Sequence, residues 1–219
     1  MEINSDIVSY YKNRAKEYER IYSKPERQSS LLLAEKILQD LFRGKDVFEI
    51  ACGTGYWTKK IAATANTIAA ADINDIVIEI AKSKNYSPAK VDFETADIFS
   101  LENHIKYESL FGGFIWSHIK LHDLNNFISI TNRLVKPGGM LVFMDNNYVS
   151  GSNLPVTGQD NSGNTYQTRT LDNGTIHTVL KNFPTEKYIR EFLTDKATDI
   201  SFINLHYYWI LKYKNIGAT

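Results

Sequence analysis

The sequence is short of most features that mark a specialised environment. Cys52 is the one cysteine among 219 residues. An internal disulfide is therefore excluded, and so is a zinc site built on several thiolates. A reducing cytoplasm is the expected compartment, and no resident metal is expected. Lys and Arg together number 25, as do Asp and Glu, for a formal net charge of zero. A chain without cationic excess is poorly suited to displacing counterions from a phosphate backbone, which argues against nucleic acid as a partner. No apolar run is long enough to cross a bilayer. The first stretch, MEINSDIVSYYKNR, lacks the cationic start and apolar core of a signal peptide. Repeats and low-complexity blocks are absent as well. A chain of this length buries one sizeable core, so a single domain over 1–219 is expected.

What the chain does have is aromatic residues, 12% of the total, and a regular alternation of element types. SDIVSYYKNRAKEYERIY contains neither Gly nor Pro and reads as one amphipathic helix, with Ser5 or Asp6 as its cap and Tyr11, Arg14, Tyr18 and Ile21 near one face. SSLLLAEKILQDLFRG is a second helix that stops at Gly44. DVFEIA, TIAAADI, VDFETADIF, FGGFIWSH and MLVFMDN read as strands, the fourth with glycines at its start. Between them YWTKKIAATA, DIVIEIAKSK (capped by Asp75) and DLNNFISITNRLV (capped by Asp123) read as helices. KPGG is a helix-stop and turn signal. Strands alternating with helices predict a doubly wound α/β fold, a mostly parallel sheet covered on both faces. Near the end, TEKYIREFL is a further helix and ISFINLHYYWILKYK an antiparallel strand pair. The stretch from Asn147 to Pro184 is rich in Asn, Gly and Thr, and Asn173-Gly174 at its centre favours a two-residue type I′ hairpin turn.

The first strand breaks into a glycine turn, FEIACGTG, and the second ends on Asp72 roughly 20 residues later. In an open parallel sheet, ligands sit beyond the carboxyl ends of the strands, where the strand order reverses. Gly53 and Gly55 allow close backbone approach, and Asp72 can accept from a ribose diol. A nucleoside triphosphate is disfavoured, because Lys59-Lys60 follow Thr58 in the wrong frame for a P-loop. A dinucleotide is weakened by Thr58, which occupies the third glycine position. Glu49 inside the strand discriminates further: a pyrophosphate repels a carboxylate beneath it, whereas an ammonium-bearing ligand tolerates one.

The set of motifs resembles the class I S-adenosylmethionine-dependent methyltransferases of the small single-domain kind. FEIACGTG is similar to their first motif, ADIN to the acidic end of strand two and ETADIF to the adenine-contacting loop. FIWSHIKLHDLNNFI is similar to their fourth-strand motif and LVKPGGMLVF to the turn into strand five. The resemblance runs from Tyr11 to Tyr213 and implies a Rossmann-like sheet of seven strands, the last antiparallel. Its one departure is Ala51 in place of the first glycine, a change of small cost if that residue keeps a negative φ.

By position the resemblance implies S-adenosylmethionine as cofactor, with S-adenosylhomocysteine as product. Glu49, Ala51, Gly53 and Gly55 would lie at the methionine end, Asp72 at the ribose, Ile73 and Ile98 against the adenine and Asp97 at its amine. Ser117 or Trp116 would contact the methionyl group by backbone. The N-terminal helices, 1–43, would close over the cofactor, with Tyr11, Arg14 and Tyr18 facing in and Arg14 paired with the cofactor carboxylate. Transfer is an in-line displacement from a sulfonium, so orientation matters most and a base only where the acceptor is protonated. His118 is the best base candidate, ahead of His122. With His118, the residues Asn146, Tyr148, Arg169 and His177 are the candidate acceptor contacts, and 147–184 the acceptor-binding cap. Arg169, His177 and Tyr166 suggest a polar or anionic small molecule. Cys52 reads as a buried packing residue. The competing readings are a non-catalytic S-adenosylmethionine sensor and an NAD-dependent oxidoreductase.

Overall fold

The computed structural model describes residues 5–101 and 106–217; 1–4, 102–105 and 218–219, with the side chains of Ser5 and Asp6 expected to cap the first helix, lie outside the described residues. In chain order the helices are α1 (Ser5–Arg14), α2 (Gln28–Phe42), α3 (Tyr56–Ala62), α4 (Asp75–Lys82), α5 (Leu124–Arg133) and α6 (Glu186–Leu193). The first five strands are β1 (Asp46–Ile50), β2 (Thr67–Asp72), β3 (Lys90–Thr95), β4 (Tyr107–Gly113) and β5 (Val135–Asn146). They are followed by β6 (Gly158–Gln159), β7 (Thr165–Thr170), β8 (Ile176–Leu180), β9 (Ala197–Asn204) and β10 (Tyr208–Asn215).

Seven strands form the main sheet in the order β3-β2-β1-β4-β5-β10-β9. The first five are mutually parallel, and β10 runs antiparallel between β5 and the edge strand β9. The doubly wound α/β architecture is therefore present, with the reversed strand inserted one place inside the edge. The pleat sorts β1 between two cores: Val47 packs with α2 and α3 on one face, Phe48 and Ile50 with α5 and α6 on the other. A separate three-stranded sheet, β6-β7-β8, lies within the stretch after β5. It shares a small core with α1 through Tyr10, Leu171 and Val179.

Four sequence expectations need correction. The first helix ends at Arg14, and a 3-10 segment, Tyr18–Ser23, replaces the rest. No Gly or Pro breaks it; tertiary contacts do. Tyr22 stacks on Tyr56 at 3.8 Å and accepts from Trp57 Nε1, and Glu19 turns to meet Thr54 and Lys84. Second, β4 is YESLFGG, with its glycines at the end. A Cβ on Gly112 would stand 2.8 Å from the Phe143 ring, so packing against β5 demands glycine there. Third, the β7–β8 hairpin closes with a longer loop. Leu171 N–H donates to Thr175 O and Gly174 N–H to Leu171 O. Only Gly174 of the Asn-Gly pair has positive φ, whereas a type I′ turn needs both. Fourth, the α4 N-cap is Asn74, and Asp75 takes only its neighbour's N–H.

The hub of the second core is Phe143, fully buried among Trp116, Phe127 and Tyr213. Phe143→Ala should lower stability by about 3–5 kcal/mol. Urea denaturation with an unchanged m-value tests this; a loss below about 1 kcal/mol would mean that the core closes over the gap.

Candidate active site

The strand order reverses between β1 and β4, and a cavity opens there at the carboxyl ends of the parallel strands. With its mouth it encloses about 1050 Å³. Its floor is the β1–α3 turn at Ala51, Gly53 and Thr54, and one side carries Asp72, Ile73, Asp97 and Ile98. The other side carries Phe114, Ile115 and His118, and the roof is Ile7, Val8, Tyr11 and Tyr18.

The floor is strained. Ala51 has φ +51, so the condition under which alanine would cost little there is not met. The turn remains tied to its neighbours just beyond that residue, Cys52 N–H donating to Ala71 O at 3.1 Å and Gly55 N–H to Cys52 O at 3.0 Å, and Ala51 absorbs the change of direction. A left-handed L-residue costs about 1–2 kcal/mol. Gly53 has φ +55, and a Cβ there would meet nothing within 4 Å. Gly55 differs: its Cβ would lie 2.2 Å from the Tyr86 hydroxyl, so this glycine serves helix packing and is not a cavity wall.

The acids are held by backbone. Asp72 accepts from Gly53 N–H and Asn74 N–H, each at 2.9 Å, so the end of β2 is locked to the glycine turn. Burial raises its pKa, and those N–H groups oppose the rise. Asp97 accepts from Phe99 N–H at 2.9 Å and caps the following turn. Glu49 is buried beneath the floor, and its Oε2 has no hydrogen-bond partner. Burial pushes its carboxyl up to about 8; Asp72 adds to the shift and Thr58 opposes it. An orphaned carboxyl under a glycine turn fits a ligand with an ammonium near the floor and fits a phosphate badly. Two further carboxylates along the wall fit the hydroxyls and amine of a nucleoside. Cys52 is buried, and burial holds its thiol well above its usual value, as suits a packing residue.

At the far end the His118 tautomer follows from its partners. Nδ1 lies 2.6 Å from Leu180 O, which can only accept, so Nδ1 carries the proton. Nε2 then holds a lone pair, and Tyr11 Oη donates to it at 2.7 Å. Burial drives the His118 pKa well below the ordinary value, and the charges of Lys181 and Arg169 add to this against Asp145. The imidazole is neutral at neutral pH. Lys181 donates to Asp145 Oδ1 at 2.8 Å and to Ser117 Oγ at 2.6 Å. Ser117 N–H donates to Asp145 Oδ2 at 2.9 Å.

The cavity thus brings together Tyr11, Tyr18, Ala51, Gly53, Asp72, Ile73, Asp97, Ile98 and His118. It leaves others out. Ser117 and Trp116 are buried behind the wall, which β4 supplies through Phe114 and Ile115. Arg14 donates to Tyr10 Oη. Arg169 stands behind Tyr11, and His177 meets the edge of Tyr10 at 5.4 Å. Asn146 and Tyr148 line a separate open groove beside the start of α6. Tyr166 is engaged by Asp160 at 2.9 Å. His122 is exposed and near Asp123. Sequence reasoning missed Asn74 and Phe114 on the wall and Lys181 behind it; VLKN carries no sign that its lysine turns inward.

A glycine turn and strand-end acids facing one cavity at the switch point define a Rossmann-like protein built for a nucleoside ligand. A family model described as a methyltransferase domain matches residues 47–139. A demethylmenaquinone methyltransferase of Staphylococcus aureus (strain MRSA252) is 25% identical over 154 residues, 67% of this chain and 61% of that protein. The match therefore spans less than two thirds of the curated relative. A structure of DhpI with SAH shares 25% identity at a TM-score of 0.79, covering 97% of this chain and 96% of that one. The N-methyltransferase NodS of Bradyrhizobium japonicum WM9, with S-adenosyl-L-homocysteine, shares the fold at a TM-score of 0.67 and 13% identity, over 97% of this chain and 100% of that one. Residues 47–139 thus match a methyltransferase domain, and nearly the whole chain shares the fold of proteins solved with S-adenosylhomocysteine.

Two outcomes follow from this geometry. Ala51→Gly should raise stability by about 0.5–1 kcal/mol, the relieved left-handed strain less the added freedom of the unfolded chain. A thermal melt checks it, and a lowered Tm would mean that Ala51 is not strained. Glu49 is protonated near pH 7 in the free protein, its folded pKa lying above the unfolded value. Its contribution to stability is therefore full below the ordinary carboxyl value and lost as pH rises through about 8. An ammonium beside it favours the ionised form, so binding S-adenosylhomocysteine at pH 7 should release up to about one proton. Calorimetry in phosphate and Tris buffers measures the release; Glu49→Gln should abolish it, and buffer-independent binding by the unaltered protein would contradict it.

Proposed function

We propose that this chain transfers the methyl group of S-adenosylmethionine to a small-molecule acceptor and that His118 takes the proton the acceptor gives up. The observation that carries this reading is the continuity of one cavity from Asp72 and Asp97 to the Nε2 lone pair of His118. Asp72 would hold the ribose diol and Asp97 the adenine amine, with Ile73 and Ile98 packed on the ring. Gly53 and Ala51 would pass under the methionine moiety, with Glu49 beneath its ammonium. Tyr11 and Tyr18, in the N-terminal segment 1–43, would close the roof. The stretch 147–184 would form the acceptor-binding cap, its β8 end orienting His118. The demethylmenaquinone methyltransferase relative carries a small-molecule acceptor in its name, which supports the substrate class here.

When bound, S-adenosylmethionine supplies a methyl group already activated on a sulfonium. The chain's own work is then alignment, worth up to roughly 7–11 kcal/mol for well-oriented reactants, and proton removal. The Leu180 carbonyl keeps the His118 proton on Nδ1, so Nε2 is the acceptor nitrogen, held by the hydroxyl of Tyr11, a residue that lines the same cavity. An incoming hydroxyl or amine would displace the Tyr11 hydroxyl from that lone pair.

Incubation with methyl-labelled S-adenosylmethionine and a metabolite extract should place label in a small molecule. Binding of S-adenosylhomocysteine without any transfer would favour the sensor reading instead. With the acceptor in hand, His118→Gln should lower kcat by about 10²–10⁴-fold and leave S-adenosylhomocysteine affinity within about twofold. An unchanged kcat would remove His118 from the proton path.

A further inference from the structure

Behind the His118 end of the cavity, two guanidinium groups converge on one phenol. Arg14 Nη1 donates to Tyr10 Oη at 2.7 Å, and Arg169 Nη1 reaches the same oxygen at 3.4 Å. Their guanidinium carbons lie 5.6 and 5.3 Å from the Tyr10 ring centre. Arg14 also lies 5.5 Å from the ring centre of Tyr18, and Arg169 stands beside the Tyr11 hydroxyl. Tyr11 and Tyr18 are roof residues of the cavity, so one layer of side chains separates the cations from it.

Among the described residues this charge has no counter-ion: neither Arg14 nor Arg169 has a carboxylate within ion-pair distance. The nearby acids are taken: Asp145 by Lys181 at 2.8 Å and Asp172 by Arg20 at 2.7 Å. Arg169 donates Nη2 to Gln167 Oε1 at 2.9 Å, but its Nε is sealed from solvent without a hydrogen-bond partner. Two like charges on a shared phenol repel, and the aromatic face offsets only part of that. The planar fork of a guanidinium matches the paired oxygens of a carboxylate or a phosphoryl group. Both arginines are half-buried, Arg169 the more deeply at its Nε.

We propose that Arg14 and Arg169, with Tyr10 between them, recognise an anionic group, a carboxylate or a phosphoryl group, carried by the methyl acceptor. This deepens the methyl-transfer reading and rests on it. It reassigns Arg14, which the sequence suggested for the cofactor carboxylate. Such an anion would tie Arg14 on α1 to Arg169 on β7, and the small sheet already shares a core with α1. Arg14, Arg169 and Tyr10 do not line the cavity, so one molecule spans both places only when Tyr11 turns out of the layer between them, which also frees His118 Nε2. Neutralising Arg169 also removes one of the charges that hold His118 below its ordinary pKa, so the base gains strength when the acceptor is in place.

The test is calorimetric titration of the full chain, saturated with S-adenosylhomocysteine, with benzoate, with phenyl phosphate and with benzamide as the neutral control. At least one anion should bind saturably, and about tenfold or more tightly than benzamide; the tighter anion identifies the group. Arg14→Met and Arg169→Met should each weaken that anion by about tenfold and leave S-adenosylhomocysteine affinity within about twofold. If a Met variant does not fold, Arg14→Lys or Arg169→Lys, which keeps the charge without the fork, should show a smaller loss in the same direction. Benzamide binding as well as the anions, no saturable anion binding, or unchanged affinity in both arginine variants would overturn the proposal. Failure of the unaltered protein to bind S-adenosylhomocysteine would count against the methyl-transfer reading, while the anion titration, run without it, still decides this one.

Discussion

The ion pair between Asp145 and Lys181 joins the two parts of the molecule that the candidate chemistry needs. Asp145 sits at the end of β5 and Lys181 just past β8; the side chains are 0% and 5% exposed. Burying both charges is costly, and the Coulomb attraction alone does not offset it. The remaining hydrogen-bonding capacity is filled instead: Ser117 N–H and Asn146 N–H donate to the carboxylate, and the ammonium donates to Ser117 Oγ. Around this centre Asn182 N–H donates to Ser117 O and Asn182 Nδ2 to Ile119 O. The segment from Ser117 to Ile119 is thereby clamped on both sides. The clamp places His118 against Leu180 O, whose carbonyl fixes the tautomer, while burial keeps the ring neutral.

Strain is concentrated on the cavity walls. Ala51 on the floor and Phe114 on the side wall both have positive φ, +51 and +59, and such conformations persist only where the surroundings over-determine them. Phe114 is fixed by its N–H to Met144 O at 2.7 Å and by Tyr22, Trp57 and Tyr208 around its ring. Tyr22 belongs to the N-terminal segment, so the aromatic cluster couples roof to wall. Glu19 adds a polar tie, accepting from Thr54 Oγ1 at 2.6 Å over the glycine turn. The roof is therefore bonded to the floor that its ligand would touch.

The family match and the acceptor side fall on different parts of the chain. The matched stretch, 47–139, holds the glycine turn and both strand-end acids. Tyr10, Arg14, Arg169 and Lys181 lie outside it. A fold hosts many reactions because its site is rebuilt at the edges of a common frame, and in the proposed reading the frame would hold the cofactor while the flanking segments would shape the acceptor.

How much was legible follows from the range of each interaction. Alternation of strands and helices, the glycine turn and Asp72 rest on local periodicity and on spacing along single elements, whereas Asp97 came from the resemblance of ETADIF to a family motif. Those signals survive in sequence, and the doubly wound sheet with its glycine turn and the acid ending β2 was readable from them. The left-handed Ala51, the break after Arg14 and the register of the Asn173-Gly174 loop were not, because neighbours distant in sequence impose them against local propensity. Arg169 and His118 could be singled out by residue type and position after a strand. Lys181 could not, since nothing in VLKN distinguishes an inward lysine from a solvated one. The residue sequence determined the frame and its ligand class through short-range pattern. Only the tertiary structure decided which side chains share a cavity, which nitrogen of His118 bears the proton and which cations lack a counter-charge among the described residues, because those properties arise from contacts between residues as far apart as Tyr10 and Arg169.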